Sequence, residues 1–276
     1  MAITAADVNK LRKQTGAGMM DCKKALEETN GDFEAAVDVL RKKGQKVAAK
    51  RGENEAKEGL IFAQSTEDGT AGVVMTLNCE TDFVAKNDDF RSFVQSIMDV
   101  AVANLPASTD ELMAAKYNDK LTVSEKITEQ IGVVGEKLDL SGYATIKADK
   151  VVAYNHPGNQ IATLVGLNSG SDAAVDAGRQ VAMQVAAMNP LALSKEGIDE
   201  DTIARELEVG KDLAIQEGKP AEMAEKIAQG RLNKFFKENT LLSQAFVRDN
   251  KQTVEQFLSG SESGLTVVDF KRQAMS

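Results

Sequence analysis

Few residues in this 276-residue sequence could carry out covalent chemistry. It contains one histidine, His156, and two cysteines, Cys22 and Cys79, and neither cysteine belongs to a Cys-x-x-Cys pair. A zinc site of the His/Cys type needs several such ligands at short spacing, and a nucleophilic triad needs a base beside its nucleophile. We therefore predict no metal site, no cofactor and no enzymatic activity, and we expect both cysteines to be small buried residues.

A glycine-rich segment at residues 16–18 does not match a phosphate-binding loop. It lacks the third glycine of the G-x-G-x-x-G pattern and follows a predicted helix instead of a strand. We interpret it as a tight turn between helices. The next residues, Met19 and Met20, cannot easily both point inward from one turn. Exposed methionine suits adaptable protein contacts. For Met19 or Met20 considered singly, burial in the core is an equally good interpretation.

Asp82 and Phe83 fall in a loop between a predicted strand and a predicted helix. A large aromatic residue in such a loop is either a plug of the core or an exposed anchor of a protein interface, and spacing alone favours the plug. His156 falls at the tip of a turn, before Pro157 and Gly158. A single histidine in a turn is usually just solvated, because a general base needs a partner that the sequence does not identify.

Composition restricts the class of protein. Apolar residues make up 42% and charged residues 27% of the chain, which is typical of a globular fold. There is no apolar run of about 18 residues, so we expect no membrane association. The N-terminus lacks the basic and apolar segments of a secretory signal, which favours a cytoplasmic protein.

Charge is distributed unevenly along the chain. The net charge is -9, yet residues 1–54 hold 11 lysines and arginines against 8 acidic residues. An acidic protein with a mildly basic N-terminal segment is a poor general binder of nucleic acid, because affinity for phosphate backbones comes mostly from positive charge.

Periodicity predicts the elements that must position these residues. Residues 1–44 are predicted to form three short helices, the first capped by Thr4 and the third capped by Asp32 and ended by Gly44. Residues 45–57 are expected to be a polar tether, helical or flexible.

From Gly59 onward the apolar period changes to two, and one order of elements is predicted twice. The first copy has strands at 60–63 and 73–77 and a helix over 90–101. The second has strands at 143–154 and 161–167 and a helix over 175–188. We interpret this as an internal duplication. A helical hairpin is predicted at 199–236, broken at Gly218-Lys219-Pro220.

Two longer motifs are more specific than any single residue. The first is LRKQTGAGMMDCKKAL at residues 11–26, followed by Asn30-Gly31-Asp32. The second is CETDFVAKN at residues 79–87. In this order they closely resemble the elongation factor Ts family, whose members are guanine-nucleotide exchange factors for elongation factor Tu. The resemblance covers essentially the whole chain.

The resemblance implies an α+β fold in four parts. These are an N-terminal three-helix bundle like a ubiquitin-associated (UBA) domain, a core of two duplicated α+β subdomains with small antiparallel sheets, and a projecting antiparallel helical hairpin. The boundaries we predict are 1–54 for the UBA-like domain with its basic tether, 55–140 for the first core subdomain, 141–198 with 237–276 for the second core subdomain, and 199–236 for the hairpin insertion.

The resemblance also implies a role for the second motif. In this family a Thr-Asp-Phe-Val loop enters the GTPase domain of elongation factor Tu near its Mg²⁺ site. The matching residues are Thr81, Asp82, Phe83 and Val84. Phe83 is expected to act as a wedge that shifts the elements holding Mg²⁺ and the nucleotide phosphates, so that GDP is released during translation elongation.

Three further residues match partner contacts of the family. Met19 and Met20 match contacts of the N-terminal domain with the same GTPase domain, and His156 matches a contact of the second core subdomain. The expected partner is elongation factor Tu, in its GDP-bound and nucleotide-free forms, with no direct contact to nucleic acid.

Two alternatives come from other functional classes. The protein could be an adaptor or holdase that uses the three-helix domain and the hairpin as binding arms, in which case it would capture many clients. It could also be a ribosome-associated RNA-binding factor that uses the basic segment 42–51, in which case RNA binding would depend steeply on salt. The acidic remainder of the chain argues against RNA binding.

Overall fold

A computed structural model of the chain describes residues 3–275 as helices connected to three small sheets. The helices are α1 (Ala5–Thr15), α2 (Met19–Glu28), α3 (Phe33–Arg51), α4 (Asp82–Ala85), α5 (Asp88–Asn104), α6 (Thr109–Ala114), α7 (Val123–Val134), α8 (Asp172–Met188), α9 (Glu200–Gln216), α10 (Ala221–Asn239) and α11 (Val254–Ser261). The strands are β1 (Glu58–Ser65), β2 (Ala71–Cys79), β3 (Asp139–Lys147), β4 (Lys150–Asn155), β5 (Ile161–Leu167), β6 (Ala245–Phe246), β7 (Asp249–Thr253) and β8 (Val267–Ala274).

The strands form three sheets with the orders β1-β2-β3, β4-β5-β8 and β6-β7. Strands β4 and β5 are antiparallel, with Lys150 opposite Leu167 at one end and Asn155 opposite Ala162 at the other. The α+β fold class with small sheets, predicted from the resemblance, is therefore confirmed.

The chain divides into two compact units. The first contains the chain up to Phe62, Met75–Ala144 and the chain from Gln273. The second contains Ala63–Val74 and Thr145–Arg272. The four domain boundaries given above, and the likeness of the N-terminal helices to a UBA domain, remain predictions.

The three N-terminal helices of the first unit begin where they were predicted. Thr4 accepts a hydrogen bond from the Asp7 backbone N–H at 3.2 Å, and Asp7 accepts one from the Thr4 backbone N–H at 3.0 Å, which completes a capping box. Leu11, Cys22 and Leu26 are fully buried in the core between the helices. The expectation that Cys22 is a buried core residue is confirmed.

The third helix does not end at Gly44, as its sequence predicts, but continues to Arg51. Gly44 is buried where α3 crosses α7. A Cβ at Gly44 would lie 2.8 Å from the carbonyl oxygen of Thr128, and a Cβ at Gly132 would lie 2.6 Å from the Gly44 Cα. Gly44 therefore serves the close approach of two helices, and the first part of the predicted tether is helix.

The repeated order of elements is present in the structure. A strand pair is followed by a long helix in each copy, β1-β2 by α5 and β4-β5 by α8, and both helices have 17 residues. Each helix ends at a non-glycine residue in the left-handed region, Leu105 and Asn189, both with φ 45°. Proline follows at 106 and 190 and cannot continue the helix. The same unusual ending in both copies supports the duplication.

The single strand predicted over 143–154 is wrong, because the chain there forms two strands that belong to different sheets. β3 ends at Lys147 and β4 begins at Lys150. The turn between β1 and β2 binds the chain at this break. The Ala148 N–H donates to the Thr70 carbonyl at 3.0 Å, and the Val151 N–H donates to the Gly69 carbonyl at 2.7 Å. These long-range bonds redirect the chain at residues 147–150, within the segment predicted as one strand.

Helices α9 and α10 of the second unit pack directly on each other through small residues. Gly210, Ala214, Ala224 and Ala228 are buried, and a Cβ at Gly210 would lie 3.1 Å from the Ala228 Cα. The predicted helical pair and the break between its helices are therefore present.

Candidate protein-binding site

The Thr-Asp-Phe-Val segment forms a single helical turn directly after β2. Thr81 is extended, with φ -125° and ψ 152°, and its hydroxyl oxygen accepts a hydrogen bond from the Val84 N–H at 3.4 Å. Thr81 is thus the N-cap of α4, which has only four residues. Ala85 points into the core, and α5 begins at Asp88 after a second cap.

Phe83 is the most exposed large apolar side chain in residues 3–275, with 84% of its surface accessible. The core plug that spacing favoured is therefore wrong. The reason is geometric: within one turn of helix only one face can reach the core, and Ala85 lies on that face. An aromatic ring held in solvent is typical of an interface anchor.

An ion pair lies next to Phe83 in this loop. Lys86 donates to the Asp82 carboxylate at 2.7 Å across one helical turn. This hydrogen bond, with the charge of the same lysine, holds the pKa of Asp82 below its ordinary value. Val84 is half-buried. The loop therefore presents an apolar tip beside an ion pair that stays charged at neutral pH.

A remote glutamate holds the N-cap of α4 in place. The Glu136 carboxylate accepts from the Glu80 N–H at 3.1 Å, from the Thr81 N–H at 3.0 Å and from the Thr81 hydroxyl at 2.7 Å. Nearby, the Cys79 thiol donates to the Thr81 carbonyl at 3.2 Å. Burial, with the charge of Glu136 as a second cause, raises the pKa of Cys79 to about 12.

The side chain of Glu80 binds the residue that follows Glu136 and also the end of α3. Its carboxylate accepts from the Lys137 N–H at 2.6 Å, from Arg51 at 2.7 Å and from the Asn54 amide at 3.0 Å. Burial acts to raise the pKa of Glu80, but the hydrogen bonds from Lys137, Asn54 and Arg51 outweigh it, and the net pKa is below the ordinary value. We call Glu80, Glu136 and the groups that they bind the glutamate clamp.

Sequence reasoning missed the clamp. Glu136 lies 55 residues after Thr81, in a segment where the sequence shows only a helical pattern. No local spacing connects the two positions, so the contact could be found only in the folded chain.

Met19 and Met20 are both exposed at the start of α2, at 51% and 63%. The buried face of this helix consists of Cys22, Ala25 and Leu26. Burial of either methionine, which the sequence left open, is therefore wrong. The two side chains belong to the first unit, as does the Phe83 loop.

His156 belongs to the second unit and is exposed at the tip of the β4–β5 turn. Its Nδ1 lies 2.9 Å from the Tyr154 hydroxyl. The backbone N–H of His156 donates to the Ile161 carbonyl at 2.9 Å. Asn159, in the same turn, is in the left-handed region with φ 55°. His156 is therefore exposed at the turn, as predicted from its position.

Two other features that would indicate a different function are absent from residues 3–275. No group of three or more histidine, cysteine, aspartate and glutamate side chains is arranged to hold a metal ion in this part of the chain. Among the same residues, no helix combines the length and the apolar character needed to cross a membrane.

Comparison with known proteins connects this loop to a family. A family model described as Elongation factor TS matches residues 80–276. The chain is 51% identical to elongation factor Ts of Christiangramia forsetii over 273 residues, which is 99% of this chain and 98% of that protein. It is 52% identical over 274 residues to elongation factor Ts of Amoebophilus asiaticus and 50% identical over 275 residues to that of Cytophaga hutchinsonii, with coverage of 98% or more on each side. With its loop motif and its α+β fold, the chain belongs to the elongation factor Ts family.

Proposed function

We propose that this protein is a guanine-nucleotide exchange factor that binds elongation factor Tu in its GDP form and promotes GDP release during translation elongation. The observation that carries the proposal is Phe83, an aromatic ring with 84% exposure on a capped turn inside the CETDFVAKN motif. Family membership supports the identity of the partner. The function is exercised in the cytoplasm and uses no catalytic residue and no cofactor.

Exchange requires a difference in affinity and no bond chemistry. The factor must bind nucleotide-free elongation factor Tu more tightly than the GDP-bound form, and by linkage GDP then weakens the factor by the same ratio. In our proposal the segment Thr81, Asp82, Phe83 and Val84 supplies this difference. Phe83 inserts near the Mg²⁺ site of the partner and fits only when the elements that hold Mg²⁺ have moved. Loss of an ion that neutralises phosphate charge weakens nucleotide binding.

The surface area of the Phe83 ring determines the expected size of its effect on GDP release. Replacing Phe83 by alanine removes about 120 Å² of ring surface from the contact, which at roughly 25 cal/mol per Å² corresponds to about 3 kcal/mol. This is a factor of roughly 100 in rate or affinity. Because the ring is in solvent in the free protein, the same change should leave folding stability almost unaffected.

Further docking contacts belong to the same proposal. Met19 and Met20 would add adaptable apolar surface against the GTPase domain of the partner. His156 would add a contact from the second core subdomain. The four-part domain division given above is proposed with it, so that separate parts of the chain grip the partner while only the Phe83 loop drives release.

The test is stopped-flow release of a fluorescent GDP analogue from elongation factor Tu, measured over a range of factor concentrations. We expect a large acceleration by the native protein and a saturating rate roughly 100-fold lower for Phe83→Ala. Leu191→Ala, which removes an apolar side chain with 57% exposure outside the loop, is the matched control. No acceleration with an active partner would refute exchange and leave an adaptor role. A weaker docking of Phe83→Ala with an unchanged saturating rate would refute the wedge.

A further inference from the structure

We propose that Glu136 is a positioning residue for the exchange loop: through the glutamate clamp it holds the turn that carries Phe83 in the orientation needed for insertion. The inference rests on the proposed function and adds to it a residue outside the loop motif. Glu136 is half-buried, and its carboxylate binds Glu80 and Thr81, so its effect on the loop is exerted through Thr81.

Three hydrogen bonds to Glu136 converge on the cap of α4. The Glu136 carboxylate accepts hydrogen bonds from two consecutive backbone N–H groups, those of Glu80 and Thr81, and from the Thr81 hydroxyl. Since that hydroxyl donates its proton to Glu136, its oxygen is oriented to accept from the Val84 N–H. Glu136 thus sets both the backbone direction at the start of α4 and the cap itself.

The turn α4 is too short to be stable on its own. α4 has four residues, and helices far shorter than about 12 residues are not stable in isolation. The side chain of Phe83 has almost no contacts that could hold it, because it lies in solvent. The orientation of the ring therefore depends on the cap, and the cap depends on the clamp.

The glutamate clamp contains two reciprocal connections. Glu80 binds the Lys137 N–H next to Glu136, while Glu136 binds the Glu80 N–H. The Lys137 ammonium also donates to the carbonyls of Gly52 and Asn54, at 2.9 and 3.0 Å. The loop is thus tied to the end of α3 and to the segment after α7, both within the first unit.

The second copy of the repeat provides a matched control within the same chain. There Glu262 accepts from the Ser169 hydroxyl at 2.8 Å and from the Ser171 hydroxyl, and Ser171 caps α8 by accepting from the Ala174 N–H at 3.0 Å. The residues after this cap are Asp172 and Ala173, so no aromatic ring is presented. Removing Glu262 breaks a similar cap without touching the exchange loop.

The first experiment measures the orientation of the ring position directly. The chain contains no tryptophan, so Phe83→Trp introduces a single tryptophan, which can be excited selectively over the tyrosines, at the tip of the loop. Time-resolved anisotropy in this background should show a larger nanosecond component in Glu136→Ala, an intermediate one in Glu136→Gln, which keeps one acceptor oxygen, and no change in Glu262→Ala. Equal anisotropy in all variants would overturn the inference. Thermal unfolding by circular dichroism verifies that each variant is folded.

The second experiment measures exchange with Phe83 intact. For Glu136→Ala we expect the saturating rate of GDP release to fall about five- to tenfold, because the loop must be ordered during insertion, while the half-saturating concentration changes less than about threefold. Glu136→Gln should recover most of the loss, and Glu262→Ala should match the native protein. A general loss of structure would instead raise the half-saturating concentration, and it would do so in both alanine variants.

The outcomes separate the two proposals. If the native protein accelerates release and Phe83→Ala does not, but Glu136→Ala is normal, then exchange stands and the positioning role is wrong. If the native protein does not accelerate release, the proposed function fails, and the anisotropy result still decides whether Glu136 orders the loop.

Discussion

The crossing of α3 and α7 gives a sharp prediction about stability. Gly44 and Gly132 allow the two helices to touch through their backbones, and neither position has space for a methyl group. At Gly44 the obstacle is the backbone carbonyl of Thr128, 2.8 Å from the new Cβ, and at Gly132 it is the Gly44 Cα at 2.6 Å. Backbone atoms cannot rotate aside as a side chain does, so the helices must separate.

Two opposing terms determine the magnitude. Alanine in place of glycine inside a helix gains about 1 kcal/mol of intrinsic helix stability. Overpacking a close contact costs about 1–3 kcal/mol, and the upper part of this range applies where backbone must move. We therefore expect Gly44→Ala to destabilise the first unit by about 1–2 kcal/mol, and Gly132→Ala by at least as much, because its contact is shorter.

Gly230 is the matched control. It also lies inside a helix, α10, but it is exposed and a Cβ there would meet nothing within 4 Å. Only the favourable helix term applies, so Gly230→Ala should stabilise its own unit by about 0.5–1 kcal/mol. The pair of substitutions separates helix propensity from packing, because the chemical change is identical.

Native-state hydrogen exchange is the suitable assay, because it reports each helix separately in a chain with two compact units. Amides of α3 and α7 should exchange about 5- to 30-fold faster in Gly44→Ala than in the native protein, and amides of α10 should be unchanged. In Gly230→Ala the amides of α10 should be better protected. A Gly44→Ala protein with slower exchange in α3 would refute the close-packing argument and return Gly44 to the role of an ordinary helix glycine.

Three further predictions concern single side chains. Cys79 is buried and its pKa is raised to about 12, so iodoacetamide at pH 8 should label it only after unfolding, as read by mass spectrometry; rapid labelling of the native protein would contradict the burial. The hydrogen bond from Thr66 is the main cause that lowers the pKa of Asp68 to about 2. The contribution of Asp68 to folding stability is therefore present above about pH 4 and is lost as the pH falls towards 2. Over that range the urea midpoint of Asp68→Asn should fall less than that of the native protein. The double change Met19→Gln and Met20→Gln should raise the half-saturating concentration for GDP release roughly tenfold with the saturating rate unchanged, and a fall in that rate instead would assign the methionines to exchange and not to docking.

Local signals predicted most helix and strand positions correctly. The cap at Thr4, the turn at residues 16–18 and the cap at Asp32 all act within a few residues of the chain, and each is found where it was expected. The period of the apolar residues likewise located the strands and the long helix of each repeat. Such features depend on backbone geometry and nearest neighbours, which the sequence states directly.

The errors share one physical cause. Gly44 has the form of a helix terminator, but it lies in a contact with α7. Residues 143–154 are predicted as one strand, but hydrogen bonds to the turn at Gly69 and Thr70 divide them into two. In both cases a partner far away in sequence decides the local structure, and a pattern of neighbours carries no information about that partner.

The same distinction applies to the candidate site. The two motifs are long and specific, so the sequence was enough to identify the family and the residues that are candidates for partner contact. Folding of the chain was needed to show that Phe83 is exposed when spacing favoured a core plug, that Met19 and Met20 both face solvent, and that Glu136 holds the cap of the loop. Exposure depends on which face the rest of the fold covers, and the clamp joins groups 55 residues apart, so neither property exists until the chain has folded.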